Sequence, residues 1–389
     1  MNRKATALVL LFVCVPLVTH AGDLSFMAST DFASGDAPYA LAAGDLNGDG
    51  DPDMVTANNG AGTVSVFLGN GSGGFAAAVD YTAGGGPYSV AMGKINGDAH
   101  VDIVCANRNG NSVSVLSGTG TGTFAAPVHH AINTAPRWVV VKDLNKDGKA
   151  DIITANADND TVSVLPGNGN GTFQPITAFT TGDGPYQVVV DDFDGDSNLD
   201  LATANYFGNN ISILLGNGNG TFDAPVHFAA GNGTRSLATG DFDDDGNLDI
   251  VTANYGATRV SVLLGNGDGT FDAAVSYNAG DATRSVAVDD FEGDGNLDIA
   301  VANYDGNNVS VLLGKGDGTF ESAVNYVSGN GPHCIALADF DGNDKPDMAT
   351  ANDNGDTVSV FLNNSKFDPV DKTGSNSCFI GATGFESGD

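Results

Sequence analysis

The sequence predicts an all-β protein, a seven-bladed β-propeller made of four-stranded blades. Three observations lead there. A short acidic loop begins at residues 45, 94, 143, 192, 241, 290 and 339, an unbroken step of 49. Between the loops lie runs rich in Val, Ile and Phe, punctuated by Gly, Asn and Asp, which is the pattern of several short strands per repeat. Sheets of this size, arranged radially, bury both faces of most strands and leave only short edges.

The N-terminus carries Arg3 and Lys4, an apolar stretch from Ala5 to Val18 and the small-residue end Thr19-His20-Ala21. Together these read as a secretory signal peptide, residues 1–21, cleaved after Ala21. Cys14 leaves with it, and Val13 before it argues against a lipoprotein site. No later apolar run approaches the ~18 residues that a membrane helix requires. Residues 22–367 are then expected to form an exported propeller, secreted or held at the cell surface, and residues 368–389 a flexible polar tail.

Four strands are expected in each unit. Strand A precedes the acidic loop (YSVAMG, RWVVVK, YQVVVD), strand B follows it (DIVTAN), strand C is VSVLLG or a variant, and strand D follows a glycine-rich GNGNGTF turn. The Phe that opens strand D recurs at Phe75, Phe124, Phe173, Phe222, Phe271 and Phe320, and one step earlier falls on Phe26. SFMASTDF is therefore a strand D placed ahead of the first strand A. The C-terminal unit lacks a strand D of its own, so the N-terminal strand is predicted to complete the last blade, removing the edges of an open ring.

The seven loops read DLNGDGDPD, KINGDAHVD, DLNKDGKAD, DFDGDSNLD, DFDDDGNLD, DFEGDGNLD and DFDGNDKPD. Six carry oxygen-bearing side chains at positions 1, 3, 5 and 9. A hard cation such as calcium takes about six to eight oxygen ligands, and a tight turn points alternate residues at one centre. Gly at position 6 suits so sharp a turn. A solvated Asp/Asn/Gly turn is the plain alternative, and six copies in register weigh against it. The loops do not match an EF-hand, which needs a Glu at position 12 and flanking helices; position 12 here is Thr, Cys or Val.

The GTF turn, the glycine-rich linker and the DxNGDGxxD loop resemble the FG-GAP repeat, also described as the VCBS type, of integrin α-chain propellers and many secreted bacterial proteins. The resemblance covers about residues 24–367. It implies an acidic loop between strands A and B on the lower face that holds calcium. The implied ligands are Asp45, Asn47, Asp49 and Asp53 in blade one, Asp143, Asn145, Asp147 and Asp151 in blade three, and Asp192, Asp194, Asp196 and Asp200 in blade four. Blades five to seven supply Asp241, Asp243, Asp245 and Asp249, then Asp290, Glu292, Asp294 and Asp298, then Asp339, Asp341, Asn343 and Asp347. A backbone carbonyl at position 7 is expected to add to them. Blade two departs from the pattern, because Lys94 stands at position 1 and Ala99 at position 6. About six Ca²⁺ sites are thus expected, with blade two empty and the Lys94 ammonium against Asp98 and Asp102.

Fifteen basic against 48 acidic residues give a formal net charge of −33, which disfavours nucleic acid and anionic membrane surfaces. Disorder is excluded by 41% apolar residues in regular runs. Three cysteines follow residue 21, an odd number, so disulfides do not define the fold. Cys105 reads as a buried free thiol, and a Cys334–Cys378 bridge would tie the tail down.

The same step aligns side chains on the face opposite the loops. At the start of strand A the series is Tyr39, Tyr88, Arg137, Tyr186, Arg235, Arg284 and His333; after strand B it is Asn59, Arg108, Ala157, Tyr206, Tyr255, Tyr304 and Asp353. Blades four to six combine these into a candidate ligand patch of Tyr186, Tyr206, Arg235, Tyr255, Arg259, Arg284 and Tyr304. Tyr and Arg are enriched at binding hot spots. Equally, the rings could pack between blades and the arginines pair with acids such as Asp183, Asp281 or Asp305. Two function classes follow: a calcium-stabilised binding module for a glycan, acidic polymer or extracellular protein, or a propeller-based polysaccharide lyase or hydrolase with His333 on the ring. A structural surface-layer role is a third.

Overall fold

The computed structural model describes residues 24–132 and 134–366. The expected signal segment, the tail from residue 368 and Cys378 with its expected bridge lie outside the described residues. Seven sheets of four antiparallel strands make up the described chain. Each strand A packs against the strand A of both neighbouring blades, and Pro38–Gly44 meets Pro332–Ala338, so the ring is closed.

Within a blade the strands run A, B, C, D from the axis outward. Strand B is buried along its whole length, as in Asp53–Asn58, because it has a sheet neighbour on each side and a packed face above and below. It therefore reads as a continuous small-and-aliphatic run rather than an alternating one. Strand D, as in Val79–Thr82, is the exposed edge, only four residues long. Shortness of this kind protects a sheet edge from unwanted pairing.

A buried polar residue closes each end of strand B. At the upper end Asn58 Nδ2 donates to Ser65 Oγ on strand C at 2.7 Å, and the same bond recurs in all seven blades at 2.6–2.9 Å. Two of these serines also meet a histidine of strand D, Ser114 with His129 at 2.8 Å and Ser212 with His227 at 2.9 Å. Both serines are fully buried, so these pairs knit strands together and do not form a reactive dyad.

Blades are stapled to one another below. The strand-D Phe of one blade meets the second loop residue of the blade before it, edge to face, as in Phe75–Phe340 at 5.4 Å and Phe320–Phe242 at 5.5 Å. Such aromatic pairs add about 0.5–1.5 kcal/mol beyond the area they bury. Beside them Gly73 N donates to Phe340 O at 2.7 Å, with equivalent bonds from Gly269 and Gly318. These phenylalanines do not open the strand, as the sequence suggests. Each forms an isolated bridge, such as Gly69 with Phe75, because the turn doubles back through Gly71 and Gly73 at φ of 62° and 74°.

The seventh blade closes as the register predicts. Thr30–Ala33 pairs with Thr357–Phe361, and Phe26 bridges Asn363 and lies 5.6 Å from Phe291. Asn363 takes the part of the missing glycine-rich turn. Its Nδ2 donates to Phe291 O at 2.8 Å and Pro346 O at 3.1 Å, its N donates to Asp347 Oδ1 at 2.6 Å, and its Oδ1 accepts from Ser365 N at 3.0 Å. Cys105 and Cys334 are buried, and neither has a disulfide partner among the described residues.

Replacing Asn363 by Ala strands several buried groups, each costing about 1–3 kcal/mol. Asn363→Ala is expected to lower unfolding free energy in urea by about that amount, whereas Asn364→Ala, at an exposed position, changes little. Equal effects of the two substitutions would refute this account of closure.

Candidate cation loops and the upper mouth

The ninth residue of every acidic loop is the first residue of strand B and is fully or almost fully buried. Its carboxylate accepts two backbone N–H bonds in all seven blades. One comes from loop residue 2, as Leu46 N to Asp53 Oδ2 at 2.9 Å. The other comes from the second residue after strand C, as Gly69 N to Asp53 Oδ1 at 2.8 Å. Position 9 therefore joins the ends of strands A, B and C before any cation is considered.

The first residue holds the loop itself. Asp45 accepts from Gly48 N at 2.6 Å and Gly50 N at 3.0 Å, and Asp290 from Gly293 N at 2.7 Å and Gly295 N at 2.8 Å. Position 6 is left-handed in all six of these loops, at Gly50, Gly148, Ser197, Gly246, Gly295 and Asp344. A Cβ on Gly50 or Gly295 would meet nothing within 4 Å, so glycine serves there for its backbone freedom, not for space.

Carboxylates converge without compensation. Asp192, Asp194 and Asp200 bring oxygens within 4.8 Å of one another, as do Asp241, Asp243 and Asp249, and Asp339, Asp341 and Asp347. At position 3, Asp243 Oδ1, Glu292 Oε2 and Asp341 Oδ1 are buried with no hydrogen-bond partner. Burial, aided by neighbouring acids, raises the carboxyls of Asp53, Asp200 and Asp249 to about 6 and of Glu292 and Asp347 to about 7, and raises Asp298 well above its ordinary value. Crowded oxygen donors, unpartnered oxygens and disfavoured ionisation are what a hard cation would relieve, so the residues fit such an ion.

In these three loops positions 1, 3 and 9 are the ones brought together. Position 5 faces elsewhere: Asp196, Asp245 and Asp294 accept both N and Nδ2 of Asn198, Asn247 and Asn296, and Asp147 meets Lys149 Nζ at 3.1 Å. In loop one the Asn47 amide is turned onto Asp49, donating to its Oδ2 at 2.9 Å. Asn343 Nδ2 donates to Asn363 O at 3.0 Å.

Blade two differs from the expectation in one respect. Lys94 is exposed, and no ion pair among the described residues joins it to Asp98 or Asp102. Asp102 is already engaged by Ile95 N and Gly118 N, and an ammonium in water has little reason to lose its hydration. Lys94 cannot accept the N–H of residue 6, and Ala99 is not left-handed. The loop backbone has changed along with its first side chain.

On the opposite face, every strand A carries a β-bulge after its first residue. Pro38 pairs with Asn58 and Ala40 with Ala57, leaving Tyr39 as the extra residue, and the same shift recurs in each blade. Bulges re-aim side chains. The seven extra residues are Tyr39, Tyr88, Arg137, Tyr186, Arg235, Arg284 and His333, and all but Arg137 line a pocket at the upper mouth of the channel with Trp138 and Cys334.

Arg137 Nη1 donates to Tyr88 Oη at 2.9 Å, and its guanidinium lies 3.9 Å over the Tyr186 ring. Arg235 Nη2 donates to His333 Nε2 at 2.8 Å, and Tyr39 stacks on His333 at 4.4 Å. Arg284 lies 3.3 Å over Tyr304 and 3.7 Å from Asp353. Burial, with Arg235 and Arg284 beside it, drives the His333 pKa well below its ordinary value, so the ring is neutral and accepts. Burial alone would raise the Tyr88 phenol, but Arg235 and Arg137 outweigh it and lower it.

The expected patch is thus divided. Tyr186, Arg235 and Arg284 line the mouth. Tyr206 stacks on Tyr186 at 4.5 Å, with Tyr255 6.3 Å further on, and Tyr304 lies under Arg284. Arg259 is exposed at the start of a strand C and does not line the mouth. Tyr39, Tyr88, Arg137 and His333 join the set, from blades left out of the patch. The 49-residue step already aligned them; ring closure is what makes every blade contribute. The arginine with an acidic partner at the mouth finds Asp353, not Asp183, Asp281 or Asp305.

Seven four-stranded blades, each with an acidic loop below, define a repeat-built β-propeller. A family model described as FG-GAP-like repeat matches residues 45–105, 94–154, 143–203, 192–252, 241–301 and 290–350, and the chain belongs to that family. No curated protein matches the sequence significantly. Among solved structures, BBS1N in complex with ARL6DN is similar at TM-score 0.62 and 11% identity, over 87% of this chain and 96% of that one. Virginiamycin B lyase from Staphylococcus aureus gives 0.59 and 11%, over 87% and 99%. An Agrocybe aegerita lectin that recognises non-reducing terminal N-acetylglucosamine gives 0.54 and 21%, over 84% and 86%. At these identities the likeness is one of fold.

Carboxyls with raised pKa values favour the protonated folded state, so their stabilisation is present below pH about 4 and is lost as pH rises through about 6–7. In chelator, Tm is therefore expected to fall between pH about 5 and about 7.5. Glu292→Gln should raise Tm in chelator at the upper pH. A flat profile in chelator would contradict this account.

Proposed function

We propose that this chain is an exported, calcium-stabilised binding module that holds a glycan, acidic polymer or extracellular protein against the face opposite its acidic loops. The observation that carries the reading is a convergence. Of the five arginines that follow residue 21, two line one aromatic mouth and a third, Arg137, lies against its tyrosines, in a chain of net charge −33. Arg and Tyr supply strong, rigid contacts, and a concave mouth with a few directed polar groups is the usual form of a ligand site.

Calcium is the cation of this reading. The donors are all oxygen and come from side chains of a turn and a strand end, which suits the variable geometry of Ca²⁺ better than the near-octahedral demand of Mg²⁺. When bound, the ion would neutralise the crowded carboxylates and stiffen the lower face. Export is proposed from the composition of residues 1–21. A catalytic reading is less well supported, because His333 is buried and its Nε2 is occupied by Arg235.

At tenfold its dissociation constant, an ion stabilises the fold by about 1.4 kcal/mol per independent site, so EDTA should lower Tm markedly and Ca²⁺ restore it. Bound metal is expected at about six per chain, rising by one in Lys94→Asp/Ala99→Gly. An unchanged melting curve in EDTA would remove the structural role. For the upper face, a glycan array probed with and without EDTA should give hits for wild type that Arg235→Ala/Arg284→Ala loses; retention of every hit by the double variant would refute the assigned face.

A further inference from the structure

Arg137, Arg235 and Arg284 are each the extra residue of a bulge, so three strands turn their guanidiniums toward one axis. Like charges gathered in a half-buried mouth repel one another. The acid that answers them is Asp353, 3.7 Å from Arg284 and itself buried. Among the described residues no other ion pair involves the three arginines. Their remaining partners are neutral: the Tyr88 hydroxyl, the His333 ring and the faces of Tyr186 and Tyr304. Arg137 Nε and Arg284 Nε are buried with no hydrogen-bond partner at all.

Such a mouth has more positive charge and more N–H donors than its own acceptors satisfy. A planar guanidinium fork matches a carboxylate, which accepts two parallel N–H bonds. The rest of the molecule limits what can carry that carboxylate. A net charge of −33 disfavours a densely charged polyanion and favours an anion that arrives singly, on a largely neutral carrier. The rim presents flat rings, with Tyr206 stacked on Tyr186 and Phe207 57% exposed beside them, against which a sugar ring can lie.

We propose that the upper mouth binds the carboxylate of a sugar acid, a uronic acid unit in an extracellular glycan of low charge density. The carboxylate takes the N–H groups of Arg235 and Arg284, Arg137 adds positive charge from behind Tyr88 and Tyr186, and the sugar ring rests on the tyrosine rim. This rests on the reading of the upper face as a glycan site and adds the group that the site recognises.

The test is calorimetric titration of the calcium-loaded protein with a glucuronate-terminated disaccharide and with its neutral methyl ester. The acid is expected to bind at least about tenfold more tightly than the ester, and Arg235→Gln or Arg284→Gln should narrow that gap by weakening the acid more than the ester. Should either variant fail to fold, Arg235→Lys, which keeps the charge but loses the fork, is expected to narrow the same gap. Equal binding of acid and ester by wild type, or equal weakening of both by the variants, would overturn the carboxylate receptor and leave the glycan reading standing. Binding of neither sugar would overturn both.

Discussion

One buried carboxylate per blade supports the rest of the structure. The aspartate that opens each strand B accepts the N–H of the second residue after strand A and the N–H of the second residue after strand C. Three strand ends are thereby gathered on a single side chain, seven times around the ring. A buried ion is tolerated only where its lone pairs are satisfied, and here both oxygens have backbone donors. The buried asparagine at the far end of strand B does the matching work above, so each strand B is fixed at both ends by polar groups that have no solvent to turn to.

This anchoring separates the fold from the ion. Blade two keeps Asp102 and both of its backbone bonds although position 1 is Lys94, and its sheet is as complete as the others. The remaining loops add acids at positions 1 and 3 to a carboxylate whose burial already raises its proton affinity, and the added charge raises it further. A loop with the donors to hold a cation is thus an elaboration of a structural aspartate. Its cost in cation-free protein is electrostatic, and it falls on the face where the blades are also stapled by Phe pairs and by Asn363.

The upper face is governed by a different device. A bulge after the first residue of each strand A turns one side chain per blade into the channel mouth, while the remainder of the strand keeps its register with strand B. The scaffold is repetitive and the seven extra residues are not: three are arginines, three tyrosines and one histidine. Change at these positions leaves the ladder of backbone bonds untouched, so the mouth can be chemically individual on a frame that repeats.

The 49-residue step determined most of this protein by itself. Period, strand-rich composition and the offset of Phe26 specify blade number, strand order and the closing strand, because these depend on local pattern and on a register that a one-dimensional repeat preserves. The acidic positions were equally legible, since alternate oxygen-bearing residues in a glycine turn have few other uses. What tertiary structure decided was direction. That position 5 turns to the amide of residue 7, that Lys94 stays in water, and that Tyr39, Tyr88 and His333 join Tyr186, Arg235 and Arg284 in one mouth, with Arg137 held against Tyr88 and Tyr186, follow from a bulge and from closure of the ring. Neither a bulge nor a closed circle of neighbours is written in the spacing of residues along a chain; both arise only when seven sheets must satisfy one another's backbone and share one axis.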